Sequence, residues 1–261
     1  MELAPLGATG LRVSPLGLGT VKFGRTAGVR YPTSFSLPTD EQCRTLLTSA
    51  LDLGINLIDT APAYGASEER LGALLEGQRG RWIICTKCGE EFDGHTSRFD
   101  FTAVAIRASV ERSLRRLRTD ALDIALIHSD GSDTSILASG EAVGALRDMQ
   151  RRGLIRAVGM SVKTIEGART AVRDLDVVML TYNVGEPEMG EVIRESAGAG
   201  ILVKKPLGSG HLAHGGSTVS LSREEAFAFI LREPNVAAAI VGTINASHLR
   251  ENVRAASTAR R

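Results

Sequence analysis

Gly54-Ile55-Asn56-Leu57-Ile58-Asp59-Thr60-Ala61-Pro62-Ala63-Tyr64-Gly65 reads as a helix stop, a short apolar run and a loop in succession. Gly54 closes the amphipathic stretch 40–53, since glycine ends a helix in the left-handed region at little steric cost. The run 55–59 closes on a carboxylate, Asp59, and the loop behind it carries Tyr64. The same unit recurs along the chain. Apolar runs at 15–20, 55–59, 82–86, 122–127, 155–160, 177–180, 200–203 and 237–241 alternate with segments of helical period at 40–53, 68–75, 101–117, 141–151, 164–173, 186–197, 223–231 and 247–256. The apolar runs are too continuous for a sheet with one wet face, which points to parallel strands covered by helices. Eight alternations without a break predict a single α/β domain over residues 1–261, a (β/α)8 TIM barrel. The rival is an open doubly wound sheet, which would carry GxGxxG after its first strand. Leu16-Gly17-Leu18-Gly19-Thr20 has no third glycine at that spacing.

Boundary residues refine this. Ahead of the first barrel strand, Leu3-Ala4-Pro5-Leu6 and Leu11-Arg12-Val13 flank Gly7-Ala8-Thr9-Gly10, which predicts an N-terminal β-hairpin closing the bottom of the barrel. Thr39 or Asp40, Ser67, and Ser222 with Glu225 are candidate helix caps. Gly153, Gly198 and Gly200 are read, like Gly54, as helix stops. In 101–117 the expected buried stripe runs through Val104, Ala108, Val110 or Glu111, and Leu114, with the arginines outward. The stretch 25–37 after the first strand reads as a loop over the upper mouth.

The charge balance, 31 Lys+Arg against 30 Asp+Glu, argues against a nucleic-acid or membrane-surface partner. No apolar stretch approaches the roughly 20 residues of a spanning helix, and the start lacks a signal-peptide pattern. A cytoplasmic protein, monomeric or weakly self-associating, is expected. Cys85-Thr86-Lys87-Cys88 has CxxC spacing, but no second pair completes a metal site, so Cys43, Cys85 and Cys88 read as reduced and buried, and no metal is expected.

Reactive groups of such barrels sit where strands hand over to loops at the C-terminal face. By that rule Asp59, Tyr64, Lys87 and His128 gather on one sector of the rim. The five lysines, Lys22, Lys87, Lys163, Lys204 and Lys205, all fall at or just past strand ends, while the helices use arginine. A rim of that kind suits an anionic ligand. A tyrosine hydroxyl is a poor acid at neutrality, and a neighbouring ammonium favours its phenolate. Lys87 can play that part, with Asp59 holding the ammonium, so that Tyr64 can give its proton to a carbonyl oxygen to which His128 donates a second hydrogen bond. Hydride must come from a cofactor, since no side chain donates it.

With these residues in place the sequence resembles the aldo-keto reductase family over nearly its whole length. The resemblance rests on residues 54–65, Ser67-Glu68, Leu71-Gly72, Thr86-Lys87, Ile127-His128, and Ile240-Val241-Gly242-Thr243 with His248-Leu249 and Glu251-Asn252. It implies reduction of an aldehyde or ketone with Asp59, Tyr64, Lys87 and His128 as the catalytic tetrad and Tyr64 as general acid. It also implies NADP(H) lying across the barrel top, with a small carbonyl compound as substrate. The implied cofactor contacts are Gly19, Thr20 and Val21 beside the nicotinamide, Asp59, Ser161, Lys204, and Pro206, Leu207, Gly208, Ser209 and Gly210 around the pyrophosphate. Gly242, Thr243, His248, Glu251 and Asn252 would meet the adenosine.

Four positions depart from the family pattern. Val162 follows Ser161 where relatives have asparagine, Met179 replaces a glutamine, Lys204 replaces the aromatic stacked on nicotinamide, and His248 replaces an arginine at the 2′-phosphate. NAD(H) therefore stays open as an alternative cofactor, and so does a cofactor-binding regulatory subunit with little turnover. Many relatives carry a longer C-terminal loop than the one ending here at Arg261. Its absence implies an open pocket shaped by Lys22, Phe23, Tyr31, Trp82 or Phe92 and the 129–136 loop.

Overall fold

The computed structural model describes residues 1–29, 34–196, 198–208 and 221–259. Strands β1 (Ala4–Pro5) and β2 (Arg12–Val13) pair antiparallel. The barrel strands are β3 (Leu16–Gly19), β4 (Leu57–Asp59), β5 (Ile83–Cys88), β8 (Leu122–His128), β9 (Ile155–Ser161), β10 (Val177–Thr181), β11 (Gly200–Lys204) and β12 (Val236–Gly242). They close in that order, parallel throughout, with β12 returning to β3. Each coincides with one of the eight apolar runs. A further hairpin, β6 (Glu90–Phe92) with β7 (Ser97–Phe99), follows β5 and was not legible in the sequence.

The helices are α1 (Val21–Gly24), α2 (Asp40–Asp52), α3 (Ser67–Leu74), α4 (Ala103–Arg116), α5 (Asp133–Ser139), α6 (Glu141–Arg151), α7 (Ile165–Asp174), α8 (Gly190–Glu195), α9 (Arg223–Leu231) and α10 (Ala246–Ala259). Thr39 caps α2 and Ser222 caps α9, each in a reciprocal capping box, with Gln42 and Glu225. Ser67 does not cap α3. It lies inside the helix, and its hydroxyl is 2.8 Å from Thr20 Oγ1 and 3.0 Å from Thr60 Oγ1, tying helix to strand ends. The stripe expected for α4 holds only in its second half: Val110 is buried and Leu114 packs on the core, but Val104 is 77% exposed, Ala108 is exposed, and Ile106, Ser109 and Ser113 face inward instead. Two serines on the buried face hid it from an apolar count.

Side chains alternate between the two faces of each strand. One set packs outward under the helices, for example Ile58, Ile84, Cys88, Ile127, Val158 and Val203. The other fills the barrel with Leu57, Cys85, Ile124, Leu126, Ala157, Met179, Leu202 and Ile240, closed below by Leu6, Leu11 and Val13 of the hairpin. Gly200 opens β11 rather than merely stopping a helix: a Cβ there would lie 2.5 Å from Leu6 Cδ1. Gly54, at φ +80°, does make the expected left-handed stop. Cys85 and Cys88 fall on opposite faces and cannot share a ligand, and all three cysteines are free and buried.

Candidate active site

Strand alternation builds the site. Two residues beyond the inward apolar layer, each strand offers one more inward position before its loop begins. Leu57 is followed by Asp59, Cys85 by Lys87, Leu126 by His128, Met179 by Thr181, Leu202 by Lys204 and Ile240 by Gly242. β3 and β9 supply Gly19 and Ser161, paired in register with Asp59 and His128. The topmost layer thus carries charge and hydroxyls where the layer beneath carries hydrocarbon. Above it opens a cleft of about 1030 Å³.

Lys87 and Asp59 are buried together. The ammonium donates to Asp59 Oδ1 at 2.5 Å and to Thr60 O at 2.9 Å. Burial works against the charge, but the Asp59 carboxylate and the nearby Tyr64 oxygen outweigh it and hold Lys87 above the ordinary lysine range. Tyr64 ends a 3-10 turn, Pro62–Tyr64, and its ring centroid lies 4.8 Å from Lys87 Nζ. The His128 ring meets it edge-on, with centroids 6.4 Å apart. All four expected catalytic residues therefore meet at one point. Asp59, Tyr64 and His128 line the cleft, with Lys87 sealed beneath.

Two charged residues at this point escaped the sequence reading. Glu90, on the unforeseen hairpin, places Oε2 2.6 Å from His128 Nδ1 and accepts from Ser97 Oγ at 2.5 Å. Burial alone would raise its pKa, yet His128, Ser97 and Arg25 bring it down to about 2. Arg25 lies 3.9 Å from Glu90 and 3.5 Å above the Phe92 ring. His128 itself is lowered, chiefly by burial, with Lys87 and Lys204 adding to the effect and Glu90 opposing it.

Along the cleft, Gly19, Val21, Lys204, Pro206, Leu207, Gly242, Thr243, His248 and Asn252 line the wall as expected. Four expected contacts do not. Thr20 is buried, its hydroxyl donating to Asp59 O at 2.9 Å. Ser161 lies under Lys204, whose ammonium donates to Ser161 Oγ at 2.9 Å and to Val162 O at 2.8 Å. Gly208 turns at φ +54° outside the lining, and Glu251 is occupied by Arg223 at 2.9 Å. Ser209 and Gly210 lie outside the described residues, as does Tyr31. In the sequence Arg223 carries only the pattern of a helix start. It lines the cleft and donates to Asn252 Oδ1 at 3.1 Å.

Lys22, Lys163, Lys204 and Lys205 all face the cleft. Burial, then Lys205, Lys87 and Lys163, bring the pKa of Lys204 down to about 7. Met179 is fully inside the apolar barrel and touches none of the cleft. The pocket-shaping expectation needs correcting as well. Trp82 precedes β5 at the lower end and Phe23 packs into the outer core, so neither reaches the cleft, and the 129–136 segment runs into α5 outside it. Among the described residues no helix is long and apolar enough to cross a membrane.

The sequence profile described as the Aldo/keto reductase family matches residues 15–220. A solved structure from Pseudomonas aeruginosa assigned to the aldo-keto reductases is 50% identical, with a TM-score of 0.89, and the match covers 99% of this chain and 96% of that one. L-galactose dehydrogenase of Arabidopsis thaliana is 31% identical over 83% of this chain and 68% of its own length. NADH-specific methylglyoxal reductase of Escherichia coli K12 is 30% identical over 81% and 69%. An eight-stranded barrel, a rim that carries Asp59, Tyr64, Lys87 and His128, and these matches agree: the chain belongs to the aldo/keto reductase family, as an NAD(P)H-dependent oxidoreductase of carbonyl compounds.

Proposed function

We propose that this chain reduces a small aldehyde or ketone to its alcohol, with Tyr64 handing its proton to the carbonyl oxygen. The observation that carries the reading is the buried Lys87–Asp59 pair set 4.8 Å from the Tyr64 ring. An ammonium held charged beside a phenol stabilises the phenolate left behind when the proton departs. His128, whose ring meets Tyr64 edge-on, lines the same space and orients the carbonyl oxygen. Run backwards, the same geometry lets Tyr64 take the alcohol's proton.

NADPH is the proposed cofactor, and when bound it supplies the hydride. The cleft suits a dinucleotide in three respects. It is long enough to run from Tyr64 to Asn252, it carries Gly19 and Gly242 where backbone can approach a ligand, and Lys205, Arg223 and His248 line it to meet phosphates. Arg223 is the residue most suited to a 2′-phosphate now that His248 stands where relatives have arginine. A cytoplasmic location and a small-molecule partner fit the three reduced cysteines and the nearly neutral charge.

Fluorescence titration with NADPH and NADH, followed by a panel of aldehydes and ketones, tests the proposal. Tighter NADPH binding and turnover of at least one carbonyl class are expected. Binding of neither nucleotide would overturn the reading, and binding with no turnover across the panel would favour the regulatory subunit.

A further inference from the structure

We propose that Glu90 is a positioning residue for this reaction: its carboxylate fixes the His128 imidazole from the Nδ1 edge and leaves the opposite edge of the ring for the carbonyl oxygen. The inference rests on the reading of His128 as a group that touches substrate. Its physical basis is independent of that reading and lies in how the ring is held.

His128 is the last residue of β8, and a side chain at a strand end has only its own torsions to hold it unless a neighbour intervenes. The Nδ1 atom is sealed from solvent and lies 2.6 Å from Glu90 Oε2. The N–H lies off the ideal line to that oxygen, and the contact acts on the ring both as a short hydrogen bond and through the carboxylate's charge. What exposure His128 retains, 19% of its side chain, lies toward the cleft that it lines. Glu90 is itself tethered. Ser97 Oγ donates to its other oxygen at 2.5 Å, and the Arg25 guanidinium stands 3.9 Å away. Arg25 also donates to Ala63 O at 2.9 Å, in the turn that carries Tyr64. One carboxylate and one guanidinium thus join the β6–β7 hairpin, the imidazole and the tyrosine turn into a single arrangement.

Charge makes the same point. The groups that act on His128 are Lys87 from β5, Lys204 from β11 and Glu90 from the hairpin, with the Tyr64 ring edge-on. Burial and both lysines disfavour a proton on the ring, and Glu90 is the group that opposes them. A carboxylate behind an imidazole is the arrangement that orients the ring and stabilises its protonated form in the Ser-His-Asp triad. Here it sits behind an imidazole whose other edge faces a carbonyl site. Glu90 also lines the cleft, but its two carboxylate oxygens are engaged by His128 and Ser97, so its effect is expected to reach the chemistry through His128.

The test is Glu90→Gln, read in two ways. His128 is titrated by NMR in the apo protein, a measurement that needs neither cofactor nor substrate and so stands even if the proposed reaction is wrong. The midpoint is expected to fall by about one pH unit on loss of the charge, with Glu90→Asp restoring most of it. In the enzyme assay kcat/KM at pH 7 is expected to fall about ten-fold or more, with its pH dependence moving in the same direction as the NMR midpoint. Should Glu90→Gln fail to fold, Ser97→Ala removes one tether of the carboxylate and is expected to move the midpoint the same way by less. An unmoved His128 midpoint in the folded variants would overturn the proposal, and so would a loss of activity that Glu90→Asp and Glu90→Gln share equally.

Discussion

The two ends of the barrel treat charge in opposite ways. At the lower mouth Asp123 accepts from Arg79 at 2.7 Å, from Arg156 at 3.0 Å and from the Ile84 amide at 3.0 Å, so its carboxylate is fully spent on joining strand starts. Just above, the interior is hydrocarbon, closed by Leu6, Leu11 and Val13. At the upper rim the same strands end in Asp59, Lys87, His128 and Lys204. There Lys204 is half-buried against two neutral acceptors and its pKa falls to about 7. Below, the Asp123 carboxylate is matched by its partners, and above, Lys87 is matched by Asp59 while Lys204 meets only neutral acceptors. Lys204 is thus held in a state that an anionic ligand can complete. Conservation of shape belongs to the lower end, and chemistry to the upper, as in barrels generally.

Three substitutions sharpen that contrast. The largest effect is expected from Lys87→Met, which removes the ammonium beside Tyr64 and strands a buried Asp59. Turnover should drop by about 100- to 10,000-fold, and urea unfolding should show a loss of about 3–5 kcal/mol. Leu6→Ala, at the plug, should cost about 2–5 kcal/mol in the same unfolding assay through transfer and cavity terms, with kcat retained. A Leu6→Ala enzyme of full stability but low kcat would break the division between the two ends. The smallest effect is expected from Lys204→Met. Because the folded-state pKa of Lys204 is depressed, the penalty for burying its charge is fully present below about pH 7 and lifts between about 7 and 10.5 as the folded protein sheds the proton first. The Tm advantage of Lys204→Met over the wild type should therefore be greatest at or below pH 7 and shrink toward pH 10.

The barrel and the tetrad were legible because both follow from periodicity. Continuous apolar runs mark strands buried on two faces, and a charged residue that ends such a run must sit at the rim. Asp59, Lys87 and His128 were found that way. What stayed hidden depends on partners distant in sequence. Glu90 follows a strand like any loop carboxylate, and only the closed hairpin brings it to His128, 38 positions on. Arg223 carries a helix-start pattern that masks its place against Asn252. Ser67 has the residue type of a cap, but its hydroxyl is drawn inward by Thr20 and Thr60. The first half of the α4 stripe is misphased because Ser109 and Ser113 hold core positions while Val104 lies outside. The departures at Val162 and Lys204 were visible as letters, and the structure adds that Lys204 donates to the Val162 carbonyl.

Proton transfer from Tyr64 under the influence of Lys87 is the step on which the proposed reaction depends. Single-turnover oxidation of bound NADPH by an aldehyde, followed by stopped-flow in Tyr64→Phe and in the wild type, tests this most directly. A burst that disappears or slows by at least about 100-fold, with the nucleotide still bound at the start, is the expected result. A Tyr64→Phe burst at the wild-type rate would mean that the proton comes from elsewhere.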